Sequence, residues 1–145
     1  MQIDGHRFAF CLTDVGGGPG ALRYINGCTT TAVWGPQLLG WPSLNALFMP
    51  AGLQQLEHWH PTARFGLVLS GNGRFKIRDE FVEFGPGSVL ILDPGDVHSF
   101  HTENSGAVFV AFHPDSTIGP THQIQNMLDR TVSDTISGSR LLDAV

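Results

Sequence analysis

The chain has 145 residues with a formal charge of −5, 14% charged residues and 41% hydrophobic residues, enough for one domain with a sizeable core. Lys76 is the only lysine among eight cations, so neither a basic nucleic-acid footprint nor a polybasic membrane patch is expected. Because the other cations are arginines, which stay charged in poorly solvated surroundings and grip carboxylates in a fork, one of them could work inside a site.

Eighteen glycines and nine prolines break the chain into short apolar or alternating runs, the punctuation of an all-β domain. The predicted strands are 6–13, 32–34, 44–49, 53–60, 65–70, 74–77, 81–84, 88–92, 97–101 and 107–113. Gly71-Asn72-Gly73 tolerates positive φ and predicts a hairpin between 65–70 and 74–77. Near the C-terminus, Ile124, Met127 and Leu128 share a face of a short helix that Gly138 ends. The glycine-rich run before Ala21 lacks the Lys-Ser/Thr of a phosphate loop and reads as a surface loop. The start of the chain has no signal-peptide pattern and no run of about 18 apolar residues occurs, so a soluble, cytoplasmic protein is expected. Cys11 and Cys28 match neither a zinc pair nor a disulfide framework and read as buried, inert thiols.

His58 and His60 are two apart in a strand-like run, so both side chains project from one face, with Leu56 and Gln54 continuing it. A His-x-His pair on a strand is a metal platform that a third ligand from another strand would complete. By the same parity Trp59 faces the other way with Glu57 and Gln55. There it would meet either a partner or the N-terminal segment.

Gly52, His58-Trp59-His60 and Gly71 resemble the first motif of the cupin superfamily, G-x5-H-x-H-x3-E-x6-G. Gly87, Gly95 and His98 resemble the second, G-x5-P-x-G-x2-H-x3-N. The resemblance implies an all-β, double-stranded β-helix (cupin, or jelly-roll barrel) with a short C-terminal helix or tail. It implies one domain over 1–145, with a core of about 40–114 and the segments 1–39 and 115–145 as extensions. Three positions depart: Asp93 stands for the proline with Pro94 beside it, Thr102 stands for the asparagine, and Arg64 stands where the family usually places its metal-binding glutamate. The first two read as structural. The resemblance thus carries over His58, His60 and His98 as ligands, with no carboxylate.

Three neutral imidazoles leave a divalent ion uncompensated, and Arg64 adds charge beside it, an arrangement that calls for an anionic substrate. Arg64 would clamp that anion, or else turn outward to a surface acid if Pro61-Thr62 bends the chain. Gln54 and Phe100 share faces with the histidines and are expected to line the pocket, whereas His101, three residues after His98, faces away. His6, His113 and His122 lack ligand spacing and read as structural. The expected cofactor is one divalent metal ion, Fe(II) first, with Zn, Mn or Ni as alternatives. The expected activity is that of an Fe(II) dioxygenase on a small anionic metabolite. The alternatives are a non-redox Zn or Mn lyase, cyclase or isomerase, and a non-catalytic ligand-binding module. Small cupins are commonly dimers, so a homodimer is expected, with no nucleic-acid or membrane partner.

Overall fold

In the computed structural model, residues 15, 19–35 and 40–114 are described here. Among these residues nine strands follow in order: β1 (Leu22–Arg23), β2 (Thr29–Trp34), β3 (Ser43–Met49), β4 (Arg64–Ser70), β5 (Gly73–Ile77), β6 (Glu80–Phe84), β7 (Val89–Leu92), β8 (His98–His101) and β9 (Ala107–His113). Their pairings are antiparallel and form a six-stranded sheet, β1-β2-β3-β9-β4-β7, and a three-stranded sheet, β6-β5-β8. From β4 onward the chain passes repeatedly between the sheets, the winding of a double-stranded β-helix. The only helical turn among the described residues is a single 3-10 turn at Ile25–Gly27. No helix there is long and apolar enough to cross a membrane.

Alternation sets which side chains meet between the sheets. On β9, Ala107, Phe109, Ala111 and His113 are buried, while Phe112 faces out. Beside them in the same sheet are Leu47 and Met49 of β3 and Val68 of β4, and from the other sheet come Phe75 of β5, Phe84 of β6 and Phe100 of β8. The Phe100 ring is the hub, with centroids 4.9 Å from Phe75, 5.2 Å from Phe109 and 5.7 Å from Phe84. Outward, Phe65, Leu67, Val89 and Ile91 form an exposed row on β4 and β7.

Most predicted strands fall within a residue or two of the observed ones, with three differences. The hairpin predicted at Gly71-Asn72-Gly73 does not form: β4 pairs with β7 and β9, and β5 with β6 and β8. The turn instead carries the chain from one sheet to the other, and its glycine is needed for approach as well as for its φ of 77°. A Cβ at Gly71 would lie 2.1 Å from the Gly106 carbonyl oxygen. The true hairpin joins β5 to β6 through Arg78-Asp79, both at positive φ (50° and 67°). That is the backbone of a two-residue primed turn built without glycine, so the sequence carries no signal for it. Second, 53–60 is not a continuous strand but touches β8 only through isolated bridges. Third, β1 and the first half of β2 were not anticipated. The predicted strand 6–13, the C-terminal helix and Cys11 lie outside the described residues.

Gly66 is where the fold is tightest. A Cβ there would sit 1.9 Å from the Phe109 ring, which lies directly over the glycine backbone. Gly66→Ala is therefore expected to lower stability by about 1–3 kcal/mol through overpacking, read from the denaturant midpoint. Combining it with Phe109→Leu should give a loss smaller than the sum of the two single changes.

Candidate metal centre

The site is built where the irregular segment 53–60 crosses β8. His58 and His98 exchange both backbone hydrogen bonds, His58 N–H to His98 O at 3.0 Å and His98 N–H to His58 O at 2.9 Å. Such a directly opposed pair puts both side chains on one face, and their ring centroids are 4.4 Å apart. His60, two residues on, returns to that face, 5.1 Å from each of the others. One nitrogen from each ring lies within 4.8 Å of the others, and all three residues are buried.

Second contacts fix which nitrogen is presented. His58 Nδ1 lies 2.8 Å from the Leu56 carbonyl and His98 Nδ1 lies 2.8 Å from the Asp96 carbonyl. A carbonyl only accepts, so each Nδ1 carries the hydrogen and each Nε2 keeps its lone pair. The Asp96 carbonyl is itself pinned by its own turn. The Asp93 N–H and the Arg78 guanidinium donate to the Asp96 carboxylate, which holds that group below its usual range. The Gly95 N–H donates to the His60 carbonyl, tying the turn to the third histidine.

Burial pushes the His58 imidazole down to about 3, helped by the His98 and Arg64 charges and opposed by the Leu56 hydrogen bond. Burial likewise lowers His98 to about 4, with Arg64 adding to the effect and Asp96 opposing it. Both rings are neutral at pH 7, the state a metal ligand requires. The donor set of three imidazole nitrogens suits Zn, Cu, Fe or Ni, so the cluster could hold a divalent ion.

These rings form one wall of a cavity of about 30 Å³, room for one or two water-sized occupants. Its other walls include Tyr24, Gln55, Arg64, Phe100 and His113. Phe100 thus lines the cavity as expected, while also serving the core. Arg64, the first residue of β4, is 4% exposed and turned inward. Its Nη1 donates to Thr62 O, Thr62 Oγ1 and Ala63 O, so the bend after His60 anchors the side chain rather than expelling it.

Gln54 does not line the cavity: it is exposed, and Gln55 takes that position. The cause is one extra residue. The bridges Gln54↔His101 and His58↔His98 set four residue steps on one side against three on β8, a bulge that reverses parity between Gln55 and His58. Asn26 Oδ1 accepts the Leu56 N–H in the bulge at 2.7 Å. Gln55 Oε1 accepts the Phe100 N–H.

Two further cavity residues carry no spacing signal. Tyr24, the only tyrosine of the chain, is 1% exposed and its hydroxyl lies 3.4 Å from His58 Nε2. It comes from a stretch that shows neither strand alternation nor motif. His113, expected to be structural, is buried at the end of β9 and lines the same cavity. His101 lies outside the cluster, its Nε2 2.8 Å from Ser99 Oγ. Thr102 is structural, its hydroxyl donating to Pro50 O and accepting from Leu53 N–H. Cys28 is buried, and desolvation raises its thiol to about 12, which makes it inert. Trp59 is only half-buried.

With folded values below the unfolded 6.5 or so, the unfolded chain binds more protons than the native one as pH falls. The contribution of the neutral rings is complete above about pH 6.5 and is lost progressively toward pH 3–4. The melting temperature of the metal-free protein is therefore expected to fall from pH 7 to pH 4.5. A His58→Leu/His98→Leu variant should show a flatter profile in the same thermal-unfolding series.

Comparisons with known proteins agree with this architecture. Residues 46–113 match the family model described as "Cupin domain". The chain superposes on the polyketide cyclase RemF of Streptomyces resistomycificus at 16% identity and TM-score 0.67, over 90% of this chain and 88% of that one. It superposes on the DMSP lyase DddQ of Ruegeria pomeroyi at 17% identity and TM-score 0.56, over 74% of this chain but only 51% of the lyase. A cupin 2 conserved barrel domain protein of Salinispora arenicola gives 17% identity and TM-score 0.56, over 74% and 88%. Among curated proteins no sequence match is significant.

Proposed function

We propose that the chain, whose residues 46–113 match the cupin domain model, is a metal-dependent enzyme of the cupin superfamily acting on a small anionic metabolite by proton transfer. The observation that carries this reading is the Tyr24 hydroxyl 3.4 Å from His58 Nε2, inside the three-histidine cavity. A divalent ion held by His58, His60 and His98 would supply Lewis acidity toward a carbonyl or enolate oxygen.

The chain's own groups do the rest. With the His58 Nε2 lone pair that faces Tyr24 given to the ion, the hydroxyl is left beside the centre to hold or move a proton at its oxygen next to a bound substrate. Arg64 contributes the positive charge that binds the substrate's anionic end, and its anchorage to Thr62 and Ala63 pre-organises the guanidinium. Phe100, Phe109, Leu90 and Ala111 wall the cavity with apolar surface that excludes bulk water. The cyclase and lyase among the fold neighbours make lyase, cyclase or isomerase chemistry the natural class, with Zn or Mn as the ion.

The Fe(II) dioxygenase expected from the sequence is the second reading. What favours it is the size of the cavity, whose small apolar-walled space suits a diatomic molecule.

Metal analysis of the purified protein is expected to give one equivalent of a divalent ion, and His98→Ala should lose it. Zn-, Mn- and Fe(II)-loaded protein is then incubated with small carboxylates under an oxygen electrode. Product without dioxygen uptake supports proton-transfer chemistry; uptake in proportion to product establishes the dioxygenase instead. Tyr24→Phe is expected to lower turnover by about 10²–10⁴-fold with metal content intact. A variant as active as wild type removes Tyr24 from the chemistry.

The assembly proposed is a homodimer. The exposed, uncharged row Phe65, Leu67, Val89 and Ile91 supports it better than the half-buried Trp59 does. Sedimentation should show a dimer that Ile91→Asp weakens; a monomeric wild type refutes it.

A further inference from the structure

The cavity beside the histidines is too small for an organic metabolite, since binding pockets for such molecules are roughly 300–1,000 Å³. A second pocket, of about 250 Å³, opens at the seam between β6 and β7, the end strands of the two sheets. Its floor is Phe75, Phe84 and Val68. Three residues, Leu90, Phe100 and Phe109, belong to the walls of both spaces, so the two adjoin. Val82 faces this mouth and is 53% exposed, an apolar residue left in water at the entrance of an apolar pocket.

We propose that this seam pocket holds the apolar tail of the substrate whose anionic head lies at Arg64 and the histidines. The inference rests on the proposed function above and narrows its substrate to one class, a monocarboxylate with an apolar tail.

Charge and wall chemistry both select that class. The cationic group at the inner end is Arg64, so the anion lies there. At the seam the polar groups include Glu83, whose carboxylate repels a second anionic end, and Ser88, whose hydroxyl already accepts the Gly85 N–H. A dicarboxylate would place one charge against Glu83 or among phenylalanine rings, at a desolvation cost nothing there offsets. An alkyl or aryl tail meets the Phe75 and Phe84 rings instead. Passage between the two spaces requires the Phe100 or Phe109 ring to turn.

The test is calorimetric binding of acetate, butanoate, hexanoate and octanoate to Zn-loaded protein, wild type and Val82→Trp. Val82 is exposed, so the substitution narrows the mouth without touching the core. Wild type should gain about fourfold in affinity per added CH₂ until the pocket is full, then level off. Val82→Trp should bind acetate as wild type does and lose the gain for the longer acids. Acetate binding with no dependence on length, or a gain that survives Val82→Trp, overturns the seam-pocket assignment alone. Zn retained with no alkanoate bound at all overturns both it and the anion-binding reading on which it rests.

Discussion

The site depends on one reciprocal pair of backbone hydrogen bonds. His58 and His98 each donate to and accept from the other, and this contact does three things at once. It joins the irregular segment before β4 to the small sheet, it brings two imidazoles to one face, and it sets the level in the barrel at which the cavity forms. His60 then follows from strand parity, and its carbonyl ties to the Gly95 amide. Without that pair the segment's other links to β8, near Gln54, Gln55 and Leu53, would leave the histidines unregistered.

Around this contact the polar groups are arranged against the burial that surrounds them. Neutral imidazoles tolerate desolvation, and their N–H groups are satisfied by carbonyls. The one buried cation described, Arg64, is held on its own loop by three acceptors. A cavity with a fixed positive group and no carboxylate among the described residues of its walls is electrostatically biased before anything enters it. The bias favours anions and disfavours free cations other than one the histidines ligate. Burial keeps His58 and His98 unprotonated, and the Arg64 charge adds to it.

The histidine triad was legible in the sequence because ligand spacing is a local property: His58 and His60 follow strand parity, and His98 opens the strand just after a turn that glycine marks. The barrel was legible through glycine and proline punctuation and the two motifs. What stayed hidden arises where register slips or where the chain is irregular. Gln54 and Gln55 exchange roles because a single residue is extruded between Gln55 and His58, which no alternation pattern records. Tyr24 reaches the cavity from a stretch beside a 3-10 turn, and its role exists only through tertiary approach. The direction of Arg64 was open because the bend at Pro61-Thr62 could send it either way; Thr62 itself decides the matter by accepting from the guanidinium. The failed hairpin at Gly71 has the same origin, since a turn-compatible sequence says how the chain can bend but not which sheet it enters next.

The partners that orient His58 and His98 are main-chain carbonyls, of Leu56 and Asp96, rather than side-chain carboxylates. A main-chain group cannot be deleted by substitution, so the tautomer of each ring is insulated from point mutation at the residues that supply it. Sequence drift around the centre can therefore change charge, volume and access, at positions such as Arg64, Leu90 or Val82, while the coordinating geometry stays put. Such a barrel is a frame on which new specificities can accumulate one side chain at a time, with the chemistry at its centre preserved throughout.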